Sequence, residues 1–256
     1  MTPVLKATGI SVRFGGVRAV VDVDLDVDDG QLVGLIGPNG AGKTTFIDAI
    51  SGFVRYDGRV ELDGGDLTGQ PPHVRARRGL ARTWQSIELF DDLSIAENLL
   101  VASHRPSVWR TVRETLSAPG EMSGEIEPVL ALLGLDETAD RLPTELSQGQ
   151  RKLAGIARAL VVKPRIVCLD EPAAGLDTRE SQELGVRLRR LADEGQAMLL
   201  VDHDMGLVLG ICDEVVVLEF GKVIARGAAD AVRADPQVIG AYLGGAAGRA
   251  AAEEVS

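Results

Sequence analysis

Cysteine is scarce: Cys168 and Cys212 stand far apart, and neither belongs to a C-x-x-C pair. That excludes a disulfide framework and a closely spaced zinc site, and fits a reducing compartment with two inert thiols. Aromatic residues make up only 4%, so a core has to be built from Val, Leu, Ile and Ala. A chain of 256 residues can do this, because a domain of that size buries roughly three-quarters of its unfolded surface without a covalent staple. Positive charge is the minority sign: 27 Lys and Arg face 38 Asp and Glu, a net charge of −11. Nucleic-acid binding needs the opposite surplus, so no nucleic-acid partner is expected. No run approaches the ~18 apolar residues of a membrane-crossing helix, and Met1–Ile10 lacks the apolar stretch of a signal peptide. If the protein works at a membrane, other chains supply the span.

What is present reads as strands alternating with helices. Val21, Val23, Leu25 and Val27 interleave with Asp22, Asp24, Asp26 and Asp28, the period of a strand with one buried face and a carboxylate-studded outer face. The Asp row suits no metal, since alternate residues on a flat strand do not wrap an ion. Gln31–Ile36 is an apolar run into the glycine-rich Gly37–Thr44, after which a helix begins at Thr45 and stops at Gly52. Arg59–Leu62 reads as a hairpin arm, Pro71 and Pro72 open a short helix, and Leu80–Trp84 is a short strand. Arg75, Arg77 and Arg78 read as a solvated helix face.

From Glu88 to Leu160 the pattern turns helical, with a Ser94/Glu97 capping box and Gly134 closing a later helix. Apolar strands return at Ile166–Leu169 and Ala197–Val201, around a helix Thr178–Asp193 capped by Asp177 and Glu180. Val215–Leu218 and Lys222–Ala225 form a last hairpin about Gly221. Alternation of this kind predicts an α/β protein with a mainly parallel sheet. Gly244–Ser256 is small and polar, and reads as a loose tail.

Three segments carry chemistry. Gly37, Pro38, Asn39, Gly40, Ala41, Gly42, Lys43 and Thr44 fit the phosphate loop G-x-x-x-x-G-K-[ST], placed after a strand and before a helix as its mechanism needs. Its backbone N–H groups face phosphates at a helix N-terminus, Lys43 reaches the β- and γ-phosphates, and the Thr44 hydroxyl ligates Mg²⁺. Downstream, the apolar strand Ile166–Leu169 ends in Asp170 and Glu171. Asp170 is placed to hold the metal, and Glu171 to polarise an attacking water as general base. The third is Leu146-Ser-Gln-Gly-Gln150: Ser147 and Gln150 start a helix, and Gly149 in its first turn lets an anion approach the backbone.

In combination these motifs resemble the ABC ATPase family from Val4 to about Leu243. The resemblance implies a P-loop core, a mainly parallel sheet flanked by helices, with an antiparallel β-subdomain and an inserted helical subdomain at about 88–160. It implies one domain over 1–243 and a flexible tail at 244–256. It implies ATP and Mg²⁺ as cofactors, bound by the loop and by Thr45. Each ATP would be sandwiched head-to-tail, so that Ser147, Gly149 and Gln150 act on a neighbouring subunit's nucleotide. Phe14 resembles the aromatic that stacks on adenine. Gln85 matches the Q-loop glutamine, which contacts metal or water and senses the membrane partner. Asp177 matches the D-loop, and His203 the switch histidine that holds the γ-phosphate. The usual signature has Gly where Gln148 stands.

Expected partners are integral-membrane permease subunits and a second ABC ATPase, with the chain peripheral at the cytoplasmic face of the membrane. Ile-Ser-Gly-Phe (50–53), Pro-Pro-His (71–73), Glu-Pro-Ala-Ala-Gly-Leu (171–176), His-Asp-Met (203–205) and Ala-Tyr-Leu-Gly (241–244) look like the larger ATPase subunit of branched-chain amino acid importers. An importer for urea, short amides or lipids, or an exporter, remains open on sequence. A soluble DNA-repair ATPase would need a long coiled coil or spaced cysteines.

Overall fold

In the computed structural model, residues 2–84, 89–103 and 123–242 are described. Gln85, and the tail from 244 onward, lie outside them.

An antiparallel sheet comes first, with strand order β2-β1-β4-β5. It is built from β1 (Leu5–Phe14), β2 (Val17–Val27), β4 (Asp57–Leu62) and β5 (Gly65–Asp66). Along β2, Val23, Leu25 and Val27 are fully buried, while Asp24 faces solvent. Val21 departs from the expected alternation: Val20 is buried in its stead, and Asp22 takes a positive φ of 52°. The pairing shifts register between Ile10↔Val23 and Val12↔Val20. A bulge therefore changes which parity faces inward.

The second sheet holds the order β10-β9-β3-β8-β7-β6. Its members are β3 (Leu32–Ile36), β6 (Leu80–Arg82), β7 (Ile166–Asp170), β8 (Ala197–Val201), β9 (Glu214–Glu219) and β10 (Lys222–Gly227). All neighbours run parallel except the β9–β10 hairpin. Every residue of β3, β7 and β8 is buried, which is why they read as unbroken apolar runs. Alternate side chains feed two cores. Val33, Leu35, Cys168 and Leu199 pack with Phe46, Ile47 and the antiparallel sheet. Leu32, Ile36, Val167 and Leu200 pack with the helical segments.

The helices are α1 (Lys43–Ser51), α2 (Pro72–Arg77), α3 (Ile95–Ser103), α4 (Ser123–Leu133), α5 (Gln148–Leu160), α6 (Thr178–Asp193), α7 (Met205–Ile211) and α8 (Ala229–Ala234). The capping box before α3 forms as the sequence suggests: Ser94 N donates to Glu97 Oε2 and Glu97 N to Ser94 Oγ. Among the described residues no helix is long and apolar enough to cross a membrane.

A second expectation fails. Arg75 is not solvated: it is 1% exposed, and its guanidinium donates to the carbonyls of Gln70, Ala49 and Ile50 and to Tyr56 Oη. Those of Ala49 and Ile50 belong to the last turn of α1, where carbonyls lack helical donors and the dipole favours a cation. The far end of the phosphate-loop helix is thus held by a buried positive charge.

Candidate functional site

The site lies where β3, β8 and β7 end side by side, the carboxyl edge of a parallel sheet. From β3 the chain enters Gly37–Gly42. A Cβ at Gly42 would stand 2.4 Å from Ala19 O, and one at Gly37 2.2 Å from Leu218 O, both at positive φ. Only glycine fits there. Gly40 faces open space.

Helix α1 then starts without a side-chain cap and without an acid in its first turn. Its first N–H groups stay open to an anion. Lys43 is 5% exposed, and its Nζ donates to Gly37 O (2.8 Å) and Pro38 O (3.2 Å). Burial lowers its pKa, opposed by the charges of Glu171, Asp202 and Asp170. Thr44 is exposed beside it and Thr45 half-buried.

Asp170, the last residue of β7, is buried and paired with Arg82 Nη2 at 2.8 Å. Glu171 follows with φ 47°, a left-handed conformation that a non-glycine residue adopts at a cost of about 1–3 kcal/mol. Its N–H donates to Val201 O of β8 at 2.7 Å, which fixes this turn. His203 leaves the end of β8 with Nδ1 3.8 Å from Glu171 Oε2. Strand order explains the meeting: β8 lies between β3 and β7, so its exit falls between the phosphate loop and the two acids.

Two members were not anticipated from sequence. Asp202 is fully buried and accepts three backbone N–H bonds, from His203 (2.7 Å), Asp204 (3.0 Å) and Ala173 (3.1 Å). It ties the turn after Glu171 to the turn that carries His203. Arg82 ion-pairs Asp170 and also Asp48 of α1, the latter at 2.6 Å. The available signals were an acid straight after an unbroken apolar strand and a basic residue closing a short one.

Phe14 ends β1 and is 53% exposed, so it is not a core residue. Ser147 caps α5: its Oγ accepts from Gln150 N (3.2 Å), and Ser147 N donates to Gln150 Oε1 (3.0 Å). Gly149 N, expected to face an anion, donates to Glu180 Oε1 of α6 at 3.3 Å. Within one chain this amide already has an acidic partner. Asp177 caps α6, with Oδ1 accepting from Glu180 N at 2.8 Å. Gln85 lies outside the described residues.

These groups fit a magnesium nucleotide. The glycines hold the loop backbone where side chains would collide, the helix start is uncapped, and a buried lysine stands among carboxylates. Thr44 and Asp170 offer hard oxygen donors, few enough that Mg²⁺ would share phosphate oxygens.

Comparison with known proteins agrees. The profile of the ABC transporter family matches residues 20–174, and that of the branched-chain amino acid ATP-binding cassette transporter matches 222–248. The chain is 40% identical to the high-affinity branched-chain amino acid transport ATP-binding protein BraF of Pseudomonas aeruginosa, over 94% of this chain and 98% of that one. It is 38% identical to LivG of Escherichia coli, a protein of the same description, with the same coverage. The solved ADP conformation of an ATP-binding cassette of an ABC transporter superposes with a TM-score of 0.84 at 31% identity, covering 95% of this chain and all of that one. With its fold, its phosphate loop and most of its length shared in this way, the chain belongs to the ABC transporter family, as an ATP-binding subunit.

Proposed function

We propose that this subunit hydrolyses Mg·ATP to drive uptake of branched-chain amino acids, paired with a second ABC ATPase and docked on permease subunits at the cytoplasmic face of a membrane. The observation that carries the catalytic part is the approach of His203 Nδ1 to Glu171 Oε2, 3.8 Å apart beside the phosphate loop. The cargo rests on the descriptions of the relatives and on the C-terminal match at 222–248.

In this reading the amides of Gly40–Thr44 and the Lys43 ammonium hold the β- and γ-phosphates, and Phe14 stacks on adenine. Thr44, Asp170 and Gln85 would hold Mg²⁺, which when bound would supply positive charge beside the transferring phosphoryl group. Glu171 takes the proton of a water as its oxygen attacks the γ-phosphorus in line, and the bond to ADP breaks. His203 orients that water and donates to the γ-phosphate. Ser147, Gly149 and Gln150, with Asp177 alongside, complete the neighbouring subunit's site. For Gly149 this requires its amide to leave Glu180. Residues 89–92, exposed from Phe90 to Asp92, belong to the face that meets the permease.

Glu171→Gln keeps shape and hydrogen bonding but loses the base. Hydrolysis should slow by ~10²–10⁴-fold while Mg·ATP still binds, and light scattering should show ATP-dependent pairing, with itself or with the partner ATPase. A variant saturated with ATP that turns over like wild type removes Glu171 from the mechanism.

A further inference from the structure

Arg82 is a cation set between two carboxylates and two aromatic rings. Its Nη1 is 2.6 Å from Asp48 Oδ1 and its Nη2 2.8 Å from Asp170 Oδ2, with 5% of the side chain exposed. The guanidinium carbon stands 4.3 Å from the Trp84 ring centroid and 5.7 Å from that of Phe53. The two rings meet edge to face, with centroids 4.9 Å apart and planes at 76°. Both are about half exposed, so a buried acid of the site and a surface aromatic pair share one side chain. Arg82 Nε is buried and finds no partner among the described residues.

We propose that Arg82 is a positioning residue that holds Asp170 while no metal does, and so makes the state of that acid readable at the Phe53–Trp84 surface. Metal and guanidinium compete for one carboxylate. Asp170 Oδ2 already accepts a charge-assisted bond from Arg82, and a divalent cation drawn to that carboxylate weakens its hold on the guanidinium. Asp48 keeps its own bond to Nη1, so the guanidinium pivots about that contact instead of leaving. A pivot changes its distance to Trp84, and cation–π attraction falls with distance from the ring. The idle Nε donor gives the group a bond to gain elsewhere when Nη2 is released. Lysine cannot replace it, since an ammonium lacks the planar fork that spans two carboxylates and stacks on a ring.

The inference rests on the reading of Asp170 as the acid nearest the metal. Trp84 and Trp109 are the two tryptophans of the chain, so Trp109→Phe leaves Trp84 as the sole tryptophan, excited at a wavelength that tyrosine does not absorb. Its emission is followed while Mg²⁺ is titrated at fixed ATP, and ATP binding is measured in parallel by equilibrium dialysis. The expected result is a change in Trp84 emission that saturates with binding. The response is lost in both Arg82→Lys and Arg82→Met, while both variants still bind Mg·ATP. Arg82→Met, with no competing cation, should bind at lower Mg²⁺. If Arg82→Met fails to fold, Arg82→Lys carries the comparison. An unchanged response in Arg82→Lys, or a silent Trp84 in protein that binds Mg·ATP, overturns the inference and leaves the nucleotide site standing. Failure of the wild-type chain to bind Mg·ATP overturns both.

Discussion

Asp202 stands behind the two groups proposed to handle the attacking water. Both of its oxygens accept: Oδ1 from His203 N and Asp204 N, Oδ2 from Ala173 N. Asn at this position must turn an amide donor toward one of those N–H groups. A buried donor left unmatched costs about 1–3 kcal/mol. The strain falls on the turns that place Glu171 and His203, while the bonds of Lys43 to Gly37 O and Pro38 O stay in place. Asp202→Asn should therefore lower kcat roughly tenfold, since a small misplacement of catalytic groups costs rate steeply, with KM for ATP near wild type. Steady-state kinetics beside thermal melts decide. A lower melting point with unchanged kcat would leave Asp202 a brace of the fold alone.

Among the elements, α1 shows how a helix can be open at one end and fastened at the other. Its N-terminus is left without a cap, while its last carbonyls receive the buried Arg75. Arg75→Met removes that cation and takes from Ile50 O and Gln70 O the donor it supplies, a loss of about 3 kcal/mol, while Ala49 O keeps its bond from Gly52 N. For a chain of this size that lowers the melting temperature by roughly 6–12 °C, and Mg·ATP affinity should fall with it as the loop loses its backing. Calorimetry with and without nucleotide checks both. A melt within a degree of wild type would show Arg75 to be dispensable.

Sequence could not disclose this role, because three arginines in four residues look like a wet face until α1 is packed against them. For the same reason the phosphate loop, the strand ending in Asp170 and the Ser147 cap were legible, each being written in consecutive residues. Arg82, the Asp202 tie to Ala173 and the Gly149–Glu180 bond were not, because the partners are 34 or 88, 29 and 31 residues away. Strand β1 was illegible for another reason. Its buried set runs Leu5, Ala7, then Ile10 and Val12, and Gly9 at φ 62° breaks the period of two in the middle.

At the scale of the molecule, the parallel sheet hides the two thiols. Cys168 lies within β7, and the side chain of Cys212 would press on a Cβ at Gly34, 3.0 Å from its Sγ. Burial pushes both thiols up to about 12. A raised thiol pKa means that the folded state resists ionisation. The resulting stabilisation is intact below the ordinary value of 9.0 and fades as pH climbs toward 12. At pH 8 an alkylating reagent should modify Cys168 only through global opening, and Cys212 sooner, through local loosening of α7. Mass spectrometry over a denaturant series would show that order, and rapid labelling of Cys168 in native protein would contradict it.

The order β9-β3-β8 also sets a timetable for making the protein. Strand β3 pairs on one side with β8, Leu32 against Met198, and on the other with β9, Val33 against Glu214. At about 5–20 residues per second of synthesis, its five apolar residues wait roughly 8–35 seconds for their first sheet partner. The antiparallel sheet needs only residues up to Asp66 and can close early. The chain thus spends most of its birth with both hydrogen-bonding edges of the strand that leads into its phosphate loop unpaired, although Val33 and Leu35 can already pack on Phe46 and Ile47. Chaperone dependence during translation belongs to this topology, whatever the stability of the finished fold.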